Sequence, residues 1–167
     1  MTLTGMHFRH FFQNAYVTRD LARAEALIGA RHGIGEWVHF EPEMDVFTAT
    51  DGQGMAHVKV ALGWAGNLQI ELIEPVSGNV QHYLDRLPAD EGNASPQFHH
   101  ICMRVADWDA TMALVEGGGW PVAYRGGVPG CEFVYIDARD SLGHYVEYMW
   151  MSDEMWAGSG GPAEITG

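Results

Sequence analysis

The sequence predicts an α+β fold in which two βαβββ modules pair and form a curved mixed sheet around a shared cleft. The order of one strand, one helix and three strands occurs twice along the 167 residues, with a polar stretch between the copies. Polar residues repeat with it, because Gln13 lies seven residues before Asp20 and His100 lies seven residues before Asp107. A repeat of this length indicates two supersecondary units that pack together.

The first module is predicted to span residues 1–75. Its opening strand runs from about Phe8 to Val17 and is rich in aromatic and β-branched residues. A helix with apolar residues at helical spacing follows, capped by Thr18 or Asp20 and ended by Gly29. The remaining strands are expected within 36–47, as one or two short strands broken at Pro42, and at 57–62 and 68–73.

A linker with a short helix is predicted at residues 76–96, and the second module at residues 97–151. In this module a strand from Phe98 to Val105 precedes a helix that begins at Asp107 and ends at the glycines 117–119. The remaining strands of the second module are expected at 120–124, 132–137 and 144–150.

Composition and charge restrict the kind of protein that this sequence can encode. The net charge is −13, and a surface this acidic repels nucleic acids and anionic membranes. No stretch approaches the ~18 uninterrupted apolar residues of a membrane span, and residues Met1 to His10 lack the features of a signal peptide. We therefore expect a cytoplasmic protein with no nucleic-acid or membrane partner. The Gly-rich residues 152–167 are expected to form a flexible tail.

The two cysteines, Cys102 and Cys131, are too few for a disulfide framework and form no CxxC pair. We interpret them as two buried thiols in a reducing compartment. A single disulfide bridge between them is the alternative that the sequence leaves open.

Four polar residues lie at strand positions that share a side with apolar residues. Gln13 and His100 belong to the first strand of each module, and Glu71 and Glu147 belong to the closing strands. Alternate residues of a strand face the same side of a sheet, so these four side chains are expected to face the apolar interior. A pseudo-two-fold arrangement of the modules brings them toward one point. One imidazole, two carboxylates and an amide oxygen suit a divalent ion such as Zn, Ni, Co, Mn or Fe(II).

Each of these residues also has an ordinary structural interpretation. A lone Glu in a strand commonly faces solvent, and a lone buried His is commonly a hydrogen-bonded core residue. The matched placement of all four residues favours the metal site. The same alternation turns His99 away from His100, so His99 is not predicted to take part.

The paired βαβββ pattern resembles the vicinal oxygen chelate superfamily, which contains glyoxalases, epimerases and extradiol dioxygenases. The resemblance covers about residues 8–150 and is closest in pattern to glyoxalase I and methylmalonyl-CoA epimerase. The set Gln13, Glu71, His100 and Glu147 is similar to the metal ligands of glyoxalase I, whereas epimerases of this family usually have His at the first position. The segments that carry the resemblance are Gln13–Asp20, Gln69–Pro75, Phe98–Met103 with Asp107, and Asp137–Glu147.

This resemblance implies a metal-dependent isomerase or lyase of the glyoxalase/epimerase type, which transfers a proton through a metal-stabilised enolate. Glu147 is the first candidate for the carboxylate that moves the proton, and Glu71 is the second. The many aromatic residues favour an apolar or aromatic carbonyl compound as the substrate. Two alternatives are a non-catalytic binding protein for a hydrophobic small molecule and an Fe(II) ring-cleaving dioxygenase. A homodimer is expected, since members of the superfamily often pair and open sheet edges favour pairing.

Overall fold

The structure is a computed structural model that describes residues 8–163. The predictions that concern residues 1–7 and 164–167, at the two ends of the chain, lie outside the described residues. Within them the elements are β1 (Phe11–Val17), α1 (Leu21–His32), β2 (Val38–Phe40), β3 (Glu43–Thr48), β4 (Gly52–Ala65), β5 (Leu68–Gly78), α2 (Gln81–Leu84), β6 (Gln97–Arg104), α3 (Trp108–Gly118), β7 (Val122–Val128), β8 (Cys131–Ala138), β9 (His144–Met151) and α4 (Asp153–Gly158).

The nine strands of the described chain form one mixed sheet that closes into a barrel. Neighbouring strands follow the order β2-β4-β3-β7-β8-β9-β6-β1-β5, and β4 also pairs with β5. β2 and β3 pair with successive parts of one edge of β4, while β5 pairs with its other edge. The predicted curved mixed sheet is therefore confirmed, and the pairing of β4 with β5 is what closes it.

The two modules meet at two antiparallel strand pairs, β1 with β6 and β3 with β7. Within each module the first strand runs parallel to the last, so that β1 pairs with β5 and β6 pairs with β9. The first and last strands of both modules consequently lie side by side in the order β5-β1-β6-β9. Residues that face inward from these four strands form one continuous surface.

Both long helices begin at the predicted aspartates. The side chains of Asp20 and Asp107 each accept a hydrogen bond from a backbone N–H in the first helical turn. α1 continues past Gly29, the predicted stop, and ends at Gly33, whose φ of 71° is the left-handed conformation of a C-cap. Gly29 has a different role, since a Cβ there would lie 3.0 Å from the carbonyl oxygen of Ile34.

The segment that follows β9 differs from the predicted flexible tail. Its first residues form α4, which contains Trp156 with only 5% of its surface exposed. The indole ring contacts Phe12 with ring centroids 5.0 Å apart, and the Arg104 guanidinium lies 4.1 Å from the indole centroid. Gly-rich composition predicts mobility, but the burial of one large aromatic side chain is enough to order this short segment.

Buried apolar side chains form three clusters among the described residues. One fills the barrel, one lies between α3 and the outer face of the sheet, and one lies between α1 and that face. Cys102 and Cys131 belong to the first cluster, and both are free thiols, as the sequence predicted. None of the described helices has the length and apolar character needed to cross a membrane.

Candidate functional site

The predicted ligands lie on the inward face of β5, β1, β6 and β9. Glu71 and His100 are both register partners of Ala15, which separates them with a small side chain. On the next strand Glu147 is the register partner of Cys102, two residues beyond His100. The three polar side chains are buried, with exposures of 8% for Glu71, 0% for His100 and 1% for Glu147.

These three side chains bring their ligand atoms together. One atom from each of Glu71, His100 and Glu147 lies within 4.8 Å of the other two. His100 Nε2 is 3.4 Å from Glu71 Oε2 and 3.0 Å from Glu147 Oε2, yet the geometry is not that of a hydrogen bond and the three atoms have no such partner among the described residues. Buried polar atoms are nearly always hydrogen-bonded. Three that converge without bonding one another are typical of ligands arranged around a cation.

Burial and mutual attraction decide the ionisation of this group. Burial lowers the pKa of His100, but the negative charges of Glu147 and Glu71 outweigh it and raise that pKa to about 9. Burial raises the pKa of Glu147, and the positive charge of His100 opposes this shift. Without a metal ion, His100 therefore carries a proton at pH 7, and its charge offsets that of the carboxylates.

Gln13 lies on the same inward face and is also a register partner of Cys102. Its Nε2 donates a hydrogen bond of 2.7 Å to Oε1 of Gln69, and both side chains are fully buried. Its Oε1 has no hydrogen-bond partner in the described part of the chain, so this atom is available as a metal ligand. Gln69 was not among the predicted site residues, although its place two residues before Glu71 on the same side of the strand could have indicated it.

The predicted orientation of His99 is wrong. Ala15 pairs with His100 but Tyr16 pairs with Phe98, so β6 has one extra residue at this point. In this β-bulge His99 no longer alternates with His100, and both side chains are fully buried with their Nδ1 atoms 2.8 Å apart. Nothing in the local sequence indicates the bulge, which only the pairing of β1 with β6 reveals.

The hydrogen bonds of His99 determine which nitrogen of His100 keeps its hydrogen when the His100 ring is neutral. His99 Nε2 lies 3.3 Å from the backbone carbonyl oxygen of His82, which can only accept. Burial lowers the pKa of His99 well below its ordinary value, so its ring is neutral and has one hydrogen, on Nε2. His99 Nδ1 therefore accepts from Nδ1–H of His100. This leaves His100 Nε2 as the nitrogen that can bind a cation once it loses its proton.

An apolar cavity of about 140 Å³ lies inside the barrel against the two carboxylates. Glu71 and Glu147 are the only charged side chains of the described residues that line it, and no Lys, Arg or His side chain does. An empty apolar cavity of ~150 Å³ is known to bind benzene, so this one can hold a six-membered ring. The methionines of its wall are Met44, Met149, Met151 and Met155.

Comparison with known families agrees with this geometry. The model of the Glyoxalase/Bleomycin resistance protein/Dioxygenase superfamily matches residues 12–135. The chain belongs to this superfamily. The resemblance to the vicinal oxygen chelate proteins is thus confirmed, and the matched range contains Gln13, Glu71 and His100 but ends before Glu147. No curated protein sequence matches this chain.

Methylmalonyl-CoA epimerases are among the similar solved structures. The Mycobacterium tuberculosis enzyme has a TM-score of 0.60 and 17% identity, with 94% of this chain and 99% of the epimerase covered. The Streptomyces coelicolor enzyme, solved in complex with 2-nitronate-propionyl-CoA, has a TM-score of 0.57 and 19% identity, with 86% of this chain and 97% of the epimerase covered. At these identities the similarity establishes a shared fold.

The raised pKa of His100 makes the stability of the metal-free protein depend on pH. The imidazolium stabilises the folded state fully below the unfolded pKa of ~6.5, and this contribution is lost as the pH rises through about 9. We therefore expect the free energy of unfolding, measured with urea after chelator treatment, to fall between pH 6.5 and 9.5. The loss is on the order of 1–3 kcal/mol, since one pKa unit corresponds to about 1.4 kcal/mol.

Two variants check that His100 is the source of this pH dependence. His100→Gln removes the titrating group and should give a flatter profile between pH 6.5 and 9.5. His39→Gln removes a histidine whose side chain is 56% exposed, and it should keep the wild-type profile. A wild-type stability that stays constant or rises over this interval would contradict the assigned ionisation.

Proposed function

We propose that this protein is a metal-dependent isomerase or lyase that transfers a proton next to the carbonyl group of an apolar metabolite. The observation that carries the proposal is the meeting of buried ligand atoms from Glu71, His100 and Glu147, of which the two carboxylates also line an apolar cavity. Protonated His100 can offset one of the two carboxylate charges, and the second remains costly to bury. A divalent ion would offset that cost and would lie where a ligand in the cavity can reach it.

The donor atoms suit a divalent ion such as Zn, Ni, Co, Mn or Fe(II). The three-residue group supplies one imidazole nitrogen and two carboxylates, and Oε1 of Gln13 is the proposed fourth ligand. Neither Cys102 nor Cys131 belongs to this group, so the thiolates that favour Cu(I) are not among its donors. The donor set therefore consists of hard and borderline ligands.

Glu147 is the proposed base. A metal ion held by this group would polarise a substrate carbonyl and stabilise the negative charge that its oxygen gains. Glu147 lines the cavity, so its carboxylate can reach a molecule that is bound there. It can take a proton from the carbon next to the carbonyl and return it to a carbon of the enolate on the same side. Glu71, which also lines the cavity, is the second candidate for this role.

The cavity favours an uncharged, apolar or aromatic carbonyl compound as the substrate. A carboxylate or phosphate group would lose its hydration there, and no cationic side chain among the described lining residues would replace it. The net charge of −13 also repels polyanionic substrates such as thioesters of coenzyme A. We therefore expect a substrate that differs from the coenzyme A compounds named for the similar epimerase structures.

A non-catalytic binding protein for a hydrophobic small molecule is the second candidate function, because the apolar cavity alone would serve it. Such a protein needs no metal, so metal content separates the two candidates. The ring-cleaving Fe(II) dioxygenase is less well supported. Its iron is typically held by two His and one carboxylate, whereas the group found in the described residues has one His and two carboxylates.

The homodimer and the cytoplasmic location stay predictions. The pairing of β4 with β5 closes the barrel and leaves only a three-residue strand, β2, with an unpaired edge among the described strands, so little remains of the open sheet edge on which the physical argument for a dimer rested. A dimer is therefore supported by the superfamily resemblance alone. The short β2, with three residues, is the strand that stands at one end of the sheet order.

Metal content tests the ligand group directly. Untagged protein is loaded separately with Zn²⁺, Ni²⁺, Co²⁺, Mn²⁺ and Fe²⁺, desalted and measured by plasma mass spectrometry. We expect the wild type to retain close to one equivalent of at least one of these ions. Glu147→Ala should lose it, whereas Glu132→Ala, which removes an exposed carboxylate from the adjacent strand, should retain it. A wild type that retains none of the five ions would overturn the enzyme proposal and leave the binding protein.

Proton exchange tests the chemistry without knowledge of the natural substrate. Metal-loaded protein is incubated in deuterium oxide with acetophenone and cyclohexanone, and NMR follows the entry of deuterium next to the carbonyl. The wild type is expected to accelerate this exchange. Glu147→Gln should slow it by about 100-fold or more, because the amide keeps the shape but accepts no proton, while Glu132→Gln should have no effect. Normal exchange in Glu147→Gln would show that another group is the base.

His99 is expected to hold His100 in the tautomer that binds the ion. His99→Phe keeps an aromatic ring but removes the acceptor of the His100 Nδ1–H. Loss of such an outer hydrogen bond typically weakens metal binding by about 10- to 100-fold. Competition with a colorimetric chelator measures the affinity, and His39→Phe at an exposed site is the matched control. If His99→Phe binds the ion as tightly as the wild type does, the orienting role is wrong.

A further inference from the structure

Two tyrosine hydroxyl groups meet inside the barrel. Tyr83 of α2 and Tyr135 of β8 have their hydroxyl oxygens 2.9 Å apart, and their side chains are almost fully buried. Both residues line the apolar cavity, together with Glu71 and Glu147. Neither tyrosine was among the predicted site residues, because Tyr83 lies in the linker between the modules and Tyr135 at an ordinary strand position.

The two hydroxyl groups share one hydrogen bond, which uses only one of their two hydrogens. Burial raises the pKa of both phenols well above the ordinary value, so both stay protonated at neutral pH. One hydroxyl donates to the other, and the second O–H has no acceptor among the described residues. A buried donor that is left unsatisfied destabilises the fold, unless a bound molecule accepts from it. The cavity that both tyrosines line is where such a molecule would lie.

Tyr135 places this spare donor beside the ligand group. It is the register partner of Glu147, the proposed base, across β8 and β9. Its ring centroid is 4.6 Å from that of the His100 ring. A small molecule in the cavity can therefore contact the hydroxyl pair and the carboxylates at the same time.

We propose that the Tyr83–Tyr135 pair is a binding and catalytic site that donates a hydrogen bond to the carbonyl oxygen of the substrate. The catalytic part rests on the proposed function. When Glu147 takes the proton from the neighbouring carbon, the C–H electron pair becomes the C=C bond of the enolate and the carbonyl π pair moves to oxygen. The phenol donates to that oxygen throughout and keeps its own proton. A hydrogen bond to an oxygen that gains charge strengthens in the transition state.

Because the pair contains two hydroxyl groups, removal of either one still leaves a hydrogen-bond donor in the cavity. In Tyr83→Phe the remaining hydroxyl of Tyr135 still has its hydrogen, and the reverse holds for Tyr135→Phe. Each single variant therefore retains a donor, and only the double variant has none. Tyr124→Phe is the matched control, because the Tyr124 hydroxyl is buried in the adjacent strand β7, has no hydrogen-bond partner among the described residues and does not line the cavity.

The experiment compares two probes of the same shape on the metal-free protein, so that its outcome does not depend on the metal. Acetophenone has a carbonyl oxygen where 2-phenylpropene has a CH₂ group. Ligand-observed NMR gives the dissociation constant of each probe, and the ratio is compared between variants because this cancels the different hydration of the two probes. We expect the preference for the ketone to fall about five- to tenfold in the double variant, which corresponds to the net contribution of one hydrogen bond.

The other measurements define what supports the proposal and what overturns it. Each single variant should keep a larger ketone preference than the double variant, Tyr124→Phe should keep that of the wild type, and 2-phenylpropene should bind all variants equally. An equal ratio in the wild type and the double variant would overturn the proposal. Failure of the wild type to bind either probe would overturn it together with the proposed substrate class. A lost ketone preference with normal proton exchange would overturn the catalytic part alone.

Discussion

The burial of two carboxylates and one imidazole within 4.8 Å of one another is the constraint on which the rest of this structure depends. An unpaired charge in such a place costs several kcal/mol, on the order of the whole stability of a domain. The barrel meets this cost by placing the first and last strands of both modules side by side, so that the charges of Glu71 and Glu147 face His100. The same group is balanced by a proton on His100 when it is metal-free, and it offers its lone pairs to a cation when that proton leaves.

Hydrogen bonds from further buried polar side chains orient the residues at and beside this group. Gln69 holds the amide of Gln13, His99 holds Nδ1 of His100, and Tyr83 holds the hydroxyl of Tyr135. Gln13 and His100 each keep a second polar atom without a hydrogen-bond partner among the described residues, and the tyrosine pair keeps one hydroxyl hydrogen that is not donated within it. The low dielectric of the barrel makes every one of these hydrogen bonds stronger and every unpaired atom more costly. The site is thus oriented by its surroundings before any ligand is present.

The fold that this protein shares with other structures does not by itself determine which substrate its cavity favours. The similar solved structures include methylmalonyl-CoA epimerases, and the shared fold explains why a closed or curved sheet encloses a cleft. The cavity in this chain, however, is lined mainly by methionine, aliphatic and aromatic side chains, and its only charges among the described lining residues are the two carboxylates. Its electrostatics favour a neutral guest, whatever related proteins with the same fold accept. Function here has to be argued from the site.

The sequence by itself determined the features that depend on local periodicity. Strand alternation and the matched spacing of Gln13 and His100 before the helix caps predicted the two modules and the inward face that the four polar residues share. Tertiary structure alone decided the closure of β4 on β5, the inward turn of His99, the order that Trp156 imposes on the expected tail, and the meeting of Tyr83 with Tyr135. The physical reason is that a bulge, a barrel seam and a hydroxyl pair each join residues far apart in the chain, and no repeat of two or 3.6 residues encodes such a pairing.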